Sequence, residues 1–357
     1  MLSAWASWRV CEHRSVANRM NYSVLELWIL LMRSEPRCYQ LPTFCVVLVM
    51  LLASSGQVAR AAEPEGAAKH VIVIGVDGLA PFGISSANTP ALDRLCEQGA
   101  STMHARAVMP TSSSSNWASM IMGAGPEQHG ITSNEWERNR FEIAPVVKGS
   151  EGIYPTMFSA VRKGLPTSAI GVFHDWGGFG RLVESESCDL VVDADGPVDA
   201  IDRSTEFWNS RNPSLLFIHL DHVDHAGHAE GWGSPDYVQA VQLADRLINQ
   251  VVTVVEKTGH KSDTVVIVTS DHGGVDKGHG GSTMAEIEIP WIAWGAGIRT
   301  GVELKKPVNT YDTAATVLRL LDVPAPACWV GRPVTEALSQ SKQSEDDAAP
   351  SEPVAVE

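Results

Sequence analysis

The chain has 357 residues, 44% hydrophobic and 19% charged, with 42 acidic against 27 basic residues and a formal net charge of −15. That balance excludes a protein that coats nucleic acid through a basic face, and no duplex binding is expected. None of the six cysteines is in a CxxC spacing, which excludes a cysteine-built zinc site.

In chain order, Arg33 and Arg37 precede the apolar run LPTFCVVLVMLLA (41–53), and Ala59-Arg60-Ala61 forms a small-residue exit. This is the layout of a secretory signal peptide; the run is shorter than the roughly 20 residues a spanning helix needs. Cleavage near Ala61 is expected, leaving a periplasmic or secreted protein without a stable membrane span, with an uncleaved anchor as the competing reading. Residues 1–31 are read as a spurious extension upstream of a natural start at Met32. Removal of 1–61 leaves 21 basic and 39 acidic residues and only Cys96, Cys188 and Cys328. Residues 62–338 are expected to form a single domain, and 339–357 an acidic disordered tail.

HVIVIGV (70–76) is the first predicted strand, followed at once by Asp77-Gly78. TPALDRLCEQG (89–99) predicts a helix closed by Gly99. The stretch VMPTSSSSNWASM (108–120) is by composition a linker, yet WASMIMGAG reads as a helix starting just after the serines. Strands are predicted for SAIGVFH (168–174), LLFIHL (215–220), TVVIVTS (264–270) and PWIAWG (290–295). Ser234 and Pro235 open a long helix over 234–259, and 311–324 is a last helix ended by Pro324. Near-continuous apolar strands alternating with helices predict an α/β fold: a mainly parallel central sheet flanked by helices on both faces.

In such sheets ligands sit beyond the carboxyl ends of the strands. Asp77 follows the first strand; Asp221, His222, Asp224, His225 and His228 follow LLFIHL; Asp271, His272, Asp276, Lys277 and His279 follow TVVIVTS. One charged loop is ordinary solvation. Three at the same sheet edge, two of them mixing imidazole with carboxylate, point to divalent metal binding, zinc foremost and manganese by the same donors. His70, His104, His129 and His174 carry no motif and are read as structural. Trp176 and Trp232 in Gly-rich loops could line a pocket.

IGVDG, a PT-x-S-x-x-N segment, D-x-x-GH, SDHGG and GHGG, in that order from residue 70 to about 335, resemble the alkaline phosphatase superfamily. The branch they look most like is the type I phosphodiesterase/nucleotide pyrophosphatase group, which holds two zinc ions at the sheet edge. The resemblance implies one metal on Asp77, Asp271, His272 and the oxygen of Ser113, and a second on Asp224, His228 and His279. It makes Ser113 the nucleophile and Asn134 the holder of a phosphate oxygen, in a hydrolase of small phosphate esters working through a phosphoseryl intermediate. A helix N-terminus just after the run would favour an alkoxide there independently, though Ser112 and Ser114 stay open as alternatives because the family's proline before the asparagine is replaced by Ser115. Asp221, His222 and His225 are expected to orient ligands, and Asp276 and Lys277 to touch substrate or solvent.

Monoesterases of this superfamily place an arginine close after the nucleophile. Here none follows Ser113 until Arg138, which favours diesters and nucleotide pyrophosphates over monoesters or phosphonates. A sulfatase would carry its cysteine in a Cys-x-Pro/Ala-x-Arg context that no cysteine here has. A phosphomutase would need a large cap domain for which there is no room. A non-catalytic metal-binding module is the alternative of a different class.

Overall fold

The computed structural model describes residues 68–339. The expected signal segment and all of the expected tail except Ser339 lie outside them. Among them, eight strands form one sheet: β1 (His70–Val76), β2 (Ala100–Arg106), β3 (Ile170–His174), β4 (Leu190–Asp193), β5 (Leu215–Leu220), β6 (Thr264–Thr269), β7 (Glu288–Gly295) and β8 (Val302–Glu303). Their spatial order is β4-β3-β5-β1-β6-β7-β2-β8. β7 alone runs antiparallel, to both β6 and β2; all other pairs are parallel. The fold class is therefore the one expected, a mainly parallel sheet with β7 as its antiparallel member. β6 and β7 form a hairpin whose long loop carries the SDHGG and GHGG motifs.

Every residue of β1 is buried, because side chains on both of its faces meet helices. Among the described residues, seven helices have eight or more residues: α1 (Pro90–Gln98), α2 (Ser113–Met122), α3 (Met157–Gly164), α4 (Gly196–Arg211), α5 (His222–Glu230), α6 (Pro235–Lys257) and α7 (Asp312–Leu320). Val71 and Val73 face one core with residues of α2, α3 and α7, while Ile72, Ile74 and Val76 face the other with residues of α1, α4 and α6. Each fully buried aliphatic side chain contributes about 1.5–3 kcal/mol, so the two-sided burial fixes the register of β1 and with it the position of Asp77. α6 starts where expected, with Ser234 Oγ accepting from the Tyr237 amide (3.2 Å).

Three strands escaped the sequence reading. β2 is built from small and polar residues with an irregular burial pattern, and β4 and β8 are too short to show a period. Cys96, Cys188 and Cys328 are all free thiols. No helix among the described residues is long and apolar enough to cross a membrane.

Candidate metal centre and serine loop

The exit of β1 builds the platform. The Asp77 amide still bonds the Leu220 carbonyl of β5 (2.9 Å), and Gly78 then turns with φ 70°. A Cβ on Gly78 would lie 2.8 Å from Asp224 Cα, so only glycine lets this turn rest against α5. The Gly78 amide donates to Asp271 Oδ1 (3.2 Å), which joins the exits of β1 and β6.

Two donor groups result. Asp77, Asp271 and His272 form one, fully buried; Asp224, His228 and His279 form the other, and within each the ligand atoms lie within 4.8 Å of one another. These are the six side chains expected from the sequence, in the expected pairing. The groups adjoin, with the His272 and His279 rings stacked 3.7 Å apart between centroids.

The histidines share one arrangement. Nδ1 donates to a main-chain carbonyl: Gly273 for His272 (2.8 Å), Thr111 for His279 (2.7 Å) and Lys277 for His228 (3.0 Å). A carbonyl can only accept, so Nε2 is the nitrogen each ring turns to the carboxylates, a lone pair whenever the ring is neutral. His272 Nε2 lies 3.2 Å from Asp271 Oδ2 and 3.4 Å from Asp77 Oδ1. His228 Nε2 and His279 Nε2 lie 3.4 and 3.7 Å from the two oxygens of Asp224. Burial, and then the neighbouring His279, pushes His272 down to about 3, so its ring is neutral and its own approaches to Asp271 and Asp77 are not ion pairs.

The carboxylates are unsatisfied on the same side. Asp77 Oδ1, Asp271 Oδ2 and Asp224 Oδ1 are buried without a hydrogen-bond partner. Burial, reinforced by the charge of Asp77, raises Asp224 to about 9 and Asp271 well above the usual carboxylate range. Partner-free carboxylate oxygens beside neutral imidazole nitrogens fit divalent cations, whose charge would restore the ionised forms. Either group can hold one ion.

Asp77 is held from behind by residues the sequence reading missed. Its Oδ2 accepts from Trp117 Nε1 (2.8 Å) and from His219 Nε2 (3.2 Å), while His219 Nδ1 lies 3.4 Å from Asp175 Oδ1. Burial alone would raise the Asp77 pKa; the hydrogen bond and charge of His219 and the Trp117 hydrogen bond are among the interactions that reverse this, to about 2. The signal was a histidine inside the apolar run LLFIHL, paired in register with Gly75, whose missing Cβ leaves room for the Trp117 ring.

The serine run opens α2 rather than preceding it. Ser112 is the N-cap, and Ser113 to Ser115 are already helical and buried. Ser113 Oγ lies 3.2 Å from His272 Nε2, whereas the hydroxyls of Ser112 and Ser115 bond each other (2.9 Å). Asn116, fully buried, accepts from the Val108 amide and donates to the carbonyls of Val108, Pro110 and Ser112, so one side chain shapes the whole loop. Thr111 ties this loop to the GHGG loop: its hydroxyl donates to the Gly281 carbonyl (2.8 Å) and accepts from the Gly280 amide (3.0 Å). Asn134 Oδ1 accepts from the Ser114 amide (2.8 Å), which sets Asn134 beside the helix N-terminus.

The secondary expectations divide. Asp221 is half-buried, and burial followed by the charge of Asp77 raises it to about 7; its amide donates to Asp175 Oδ1 (2.7 Å). His222 donates instead to the Ala240 carbonyl of α6 (3.1 Å), away from the ligands, and His225 is exposed. Asp276 and Lys277 are exposed, but the Lys277 carbonyl orients His228 and the Asp276 carbonyl accepts the Trp232 amide. Trp232 is a wall of the centre, its indole N–H on the Gly78 carbonyl (3.0 Å) and its ring 5.2 Å from His228. Trp176 stacks on His219.

Residues 71–287 match the type I phosphodiesterase / nucleotide pyrophosphatase family. The chain belongs to this family. It is the branch of the alkaline phosphatase superfamily that the order of motifs resembles. Among curated relatives, the chain is 29% identical over 138 residues to mouse GPI ethanolamine phosphate transferase 1, covering 33% of this chain and 15% of that protein. It is 24% identical over 218 residues to rat ectonucleotide pyrophosphatase/phosphodiesterase family member 3, covering 57% of this chain and 24% of that one. The matches thus span less than a third of the length of these relatives. A murine ectonucleotide pyrophosphatase / phosphodiesterase 5, an inactive variant in complex with AMP, shares the fold with a TM-score of 0.65 at 16% identity, over 76% of this chain and all of that one.

Proposed function

We propose that the chain hydrolyses phosphate diesters or nucleotide pyrophosphates with two divalent cations, zinc foremost, through a phosphoseryl intermediate on Ser113. Residues 62–338 would be the catalytic domain, working in the periplasm or outside the cell after loss of the signal segment. The observation that carries this reading is Ser113 Oγ at 3.2 Å from His272 Nε2, at the first turn of a helix and beside the donor group of Asp77, Asp271 and His272.

When bound, cations held by Asp77, Asp271 and His272 and by Asp224, His228 and His279 supply the positive charge that favours an ionised serine and a departing oxygen. The free amides at the start of α2 attract the phosphoryl oxygens to the same place. Ser113 Oγ bonds phosphorus in line as the opposite P–O bond breaks; the leaving oxygen takes that electron pair, and the phosphoryl group stays on Ser113. Water then bonds phosphorus as the Ser113 Oγ–P bond breaks; Ser113 Oγ takes that electron pair and recovers from the attacking water the proton it had given up to solvent on ionising, and phosphate is released. Because Asn134 Oδ1 is occupied by the Ser114 amide, its NH2 group is left to donate to a non-bridging oxygen.

Preference for diesters is supported by where the arginines are spent. Arg138 donates to Glu151 and to the carbonyls of Arg181 and Val183. Arg181 donates to Glu137 and to the Asn134 carbonyl. A monoester dianion would lack the guanidinium fork that grips its extra charge. The likeness to an ethanolamine phosphate transferase supports a second reading, in which an alcohol replaces water as the acceptor.

The test compares bis-p-nitrophenyl phosphate with p-nitrophenyl phosphate on zinc-loaded protein from about residue 63, beside Ser113→Ala. Diester preference abolished in the variant, with phosphate trapped on the 108–120 peptide after acid quench, is the expected result. Full activity of Ser113→Ala overturns the serine assignment, and monoester preference overturns the substrate class. Product partitioning in added ethanolamine separates transfer from hydrolysis.

A further inference from the structure

The opposite end of β1 holds a third donor group. His70, His260 and Asp263 bring one ligand atom each within 4.8 Å of one another. His70 opens β1 and Asp77 follows its last residue, so about 23 Å of strand, at about 3.3 Å per residue, separates this group from the centre described above. His260 and Asp263 lie in the turn between α6 and β6. That turn is bound to β1 through the Asp263 carbonyl, which accepts the amides of Lys69 (2.8 Å) and His70 (3.2 Å).

His70 shows the arrangement shared by His228, His272 and His279. Its ring is buried, and Nδ1 donates to the Pro213 carbonyl (2.8 Å), leaving Nε2 as a lone pair. The His260 ring stands nearly perpendicular to it, 5.1 Å away between centroids, and Trp208 walls both rings at 5.3 and 5.8 Å. His260 Nδ1 and Asp263 Oδ1 are 3.2 Å apart, on side chains 31% and 24% exposed, so solvent can complete a coordination shell. Asp263 Oδ1 is at present hydrogen-bonded to His260 Nδ1, a bond that a bound ion would replace, and its Oδ2 faces only Lys69, 3.8 Å away and mostly in water, a pair of little energetic weight.

We propose that His70, His260 and Asp263 bind one divalent transition-metal ion of the zinc class. Two imidazole nitrogens and one carboxylate oxygen select such an ion over magnesium or calcium, which prefer all-oxygen shells. Bond lengths of about 2.0–2.2 Å require the exposed turn to close by roughly 1 Å. The ion would pin the α6–β6 turn to β1 and, through His70 and Pro213, to the connection entering β5. Its role is structural, and it does not depend on the chemistry proposed at Ser113.

The experiment strips full-length protein with chelator, reloads it with zinc, desalts it and counts zinc per chain by mass spectrometry. Wild type is compared with His260→Ala and with Asp263→Asn, both at partly exposed turn positions, with circular dichroism to verify folding. Each variant is expected to carry one zinc fewer than wild type while bis-p-nitrophenyl phosphate hydrolysis stays within about twofold. A zinc-induced rise in melting temperature should also be smaller in both. Equal zinc content in all three proteins overturns the site. Loss of zinc together with loss of hydrolysis also overturns it, because the missing ion would then belong to the centre at Asp77.

Discussion

His219→Gln tests whether the buried sheet, and not only its rim, sets metal affinity. His219 is fully buried on β5 and donates to Asp77 Oδ2 at 3.2 Å, with Asp175 Oδ1 at 3.4 Å on its other nitrogen. Burial alone would lower its pKa; the hydrogen bonds to Asp175 and Asp77 outweigh it and raise the pKa to about 9. Against an ordinary 6.5, that is roughly 3 kcal/mol of preference for the charged ring. Glutamine can keep one N–H toward Asp77 but no charge. Zinc affinity at the Asp77 group should fall about 10- to 100-fold, the usual range for removing a partner that orients a ligand. A competition titration against a chromophoric chelator reads this directly, and activity should return at saturating zinc. In chelator, the ring's contribution to stability has a defined sign with pH. A folded-state pKa raised above the unfolded one stabilises fully below about pH 6.5, and that stabilisation is lost as pH rises through about 9. The gap between the urea melts of wild type and variant should therefore be widest near pH 6 and narrow at high pH. An unchanged zinc affinity, or a gap that does not move with pH, refutes this account of His219.

Trp117→Phe keeps the ring in the core but removes the donor to Asp77 Oδ2 (2.8 Å). A loss of about 1–3 kcal/mol in chelator, with severalfold weaker zinc binding, is expected from urea melts and the same titration; wild-type values for both would refute it. Gly78→Ala forces a Cβ to 2.8 Å from Asp224 Cα at a φ of 70°, so it should lower zinc content and melting temperature together. An unshifted melt would mean that the turn relaxes freely. Within the serine run, Ser113→Ala should lose activity by about a thousandfold or more, whereas Ser112→Ala and Ser114→Ala should retain most of it in a steady-state diester assay. A comparable loss at Ser114 would move the nucleophile.

Much of the candidate centre was legible because its donor side chains lie next to strand ends. A strand buried on both faces leaves a continuous apolar mark, and the residue after it is placed at the sheet edge by covalent connection alone. Asp77, Asp271 and His272 follow β1 and β6 in this way, and Asp224 and His228 share one face of α5 at i and i+4. The direction of β7 was not legible, because an apolar run reads the same in both directions. β2 was missed because its small and polar residues are paired by neighbouring strands rather than selected by their own pattern.

The sequence by itself determined the α/β class, the two donor groups and the serine loop, because apolar periodicity and residue type are local properties. Only the tertiary structure decided which hydroxyl of Ser112 to Ser115 meets His272, since that depends on how α2 docks onto the exit of β6. Only it showed that His219, Asp175 and Trp117 hold Asp77, that the Lys277 and Thr111 carbonyls orient His228 and His279, and that His70 meets His260 and Asp263. Each of these contacts joins residues far apart in the chain. Their partners are selected by the packing of the sheet and its helices, which no single stretch of sequence records.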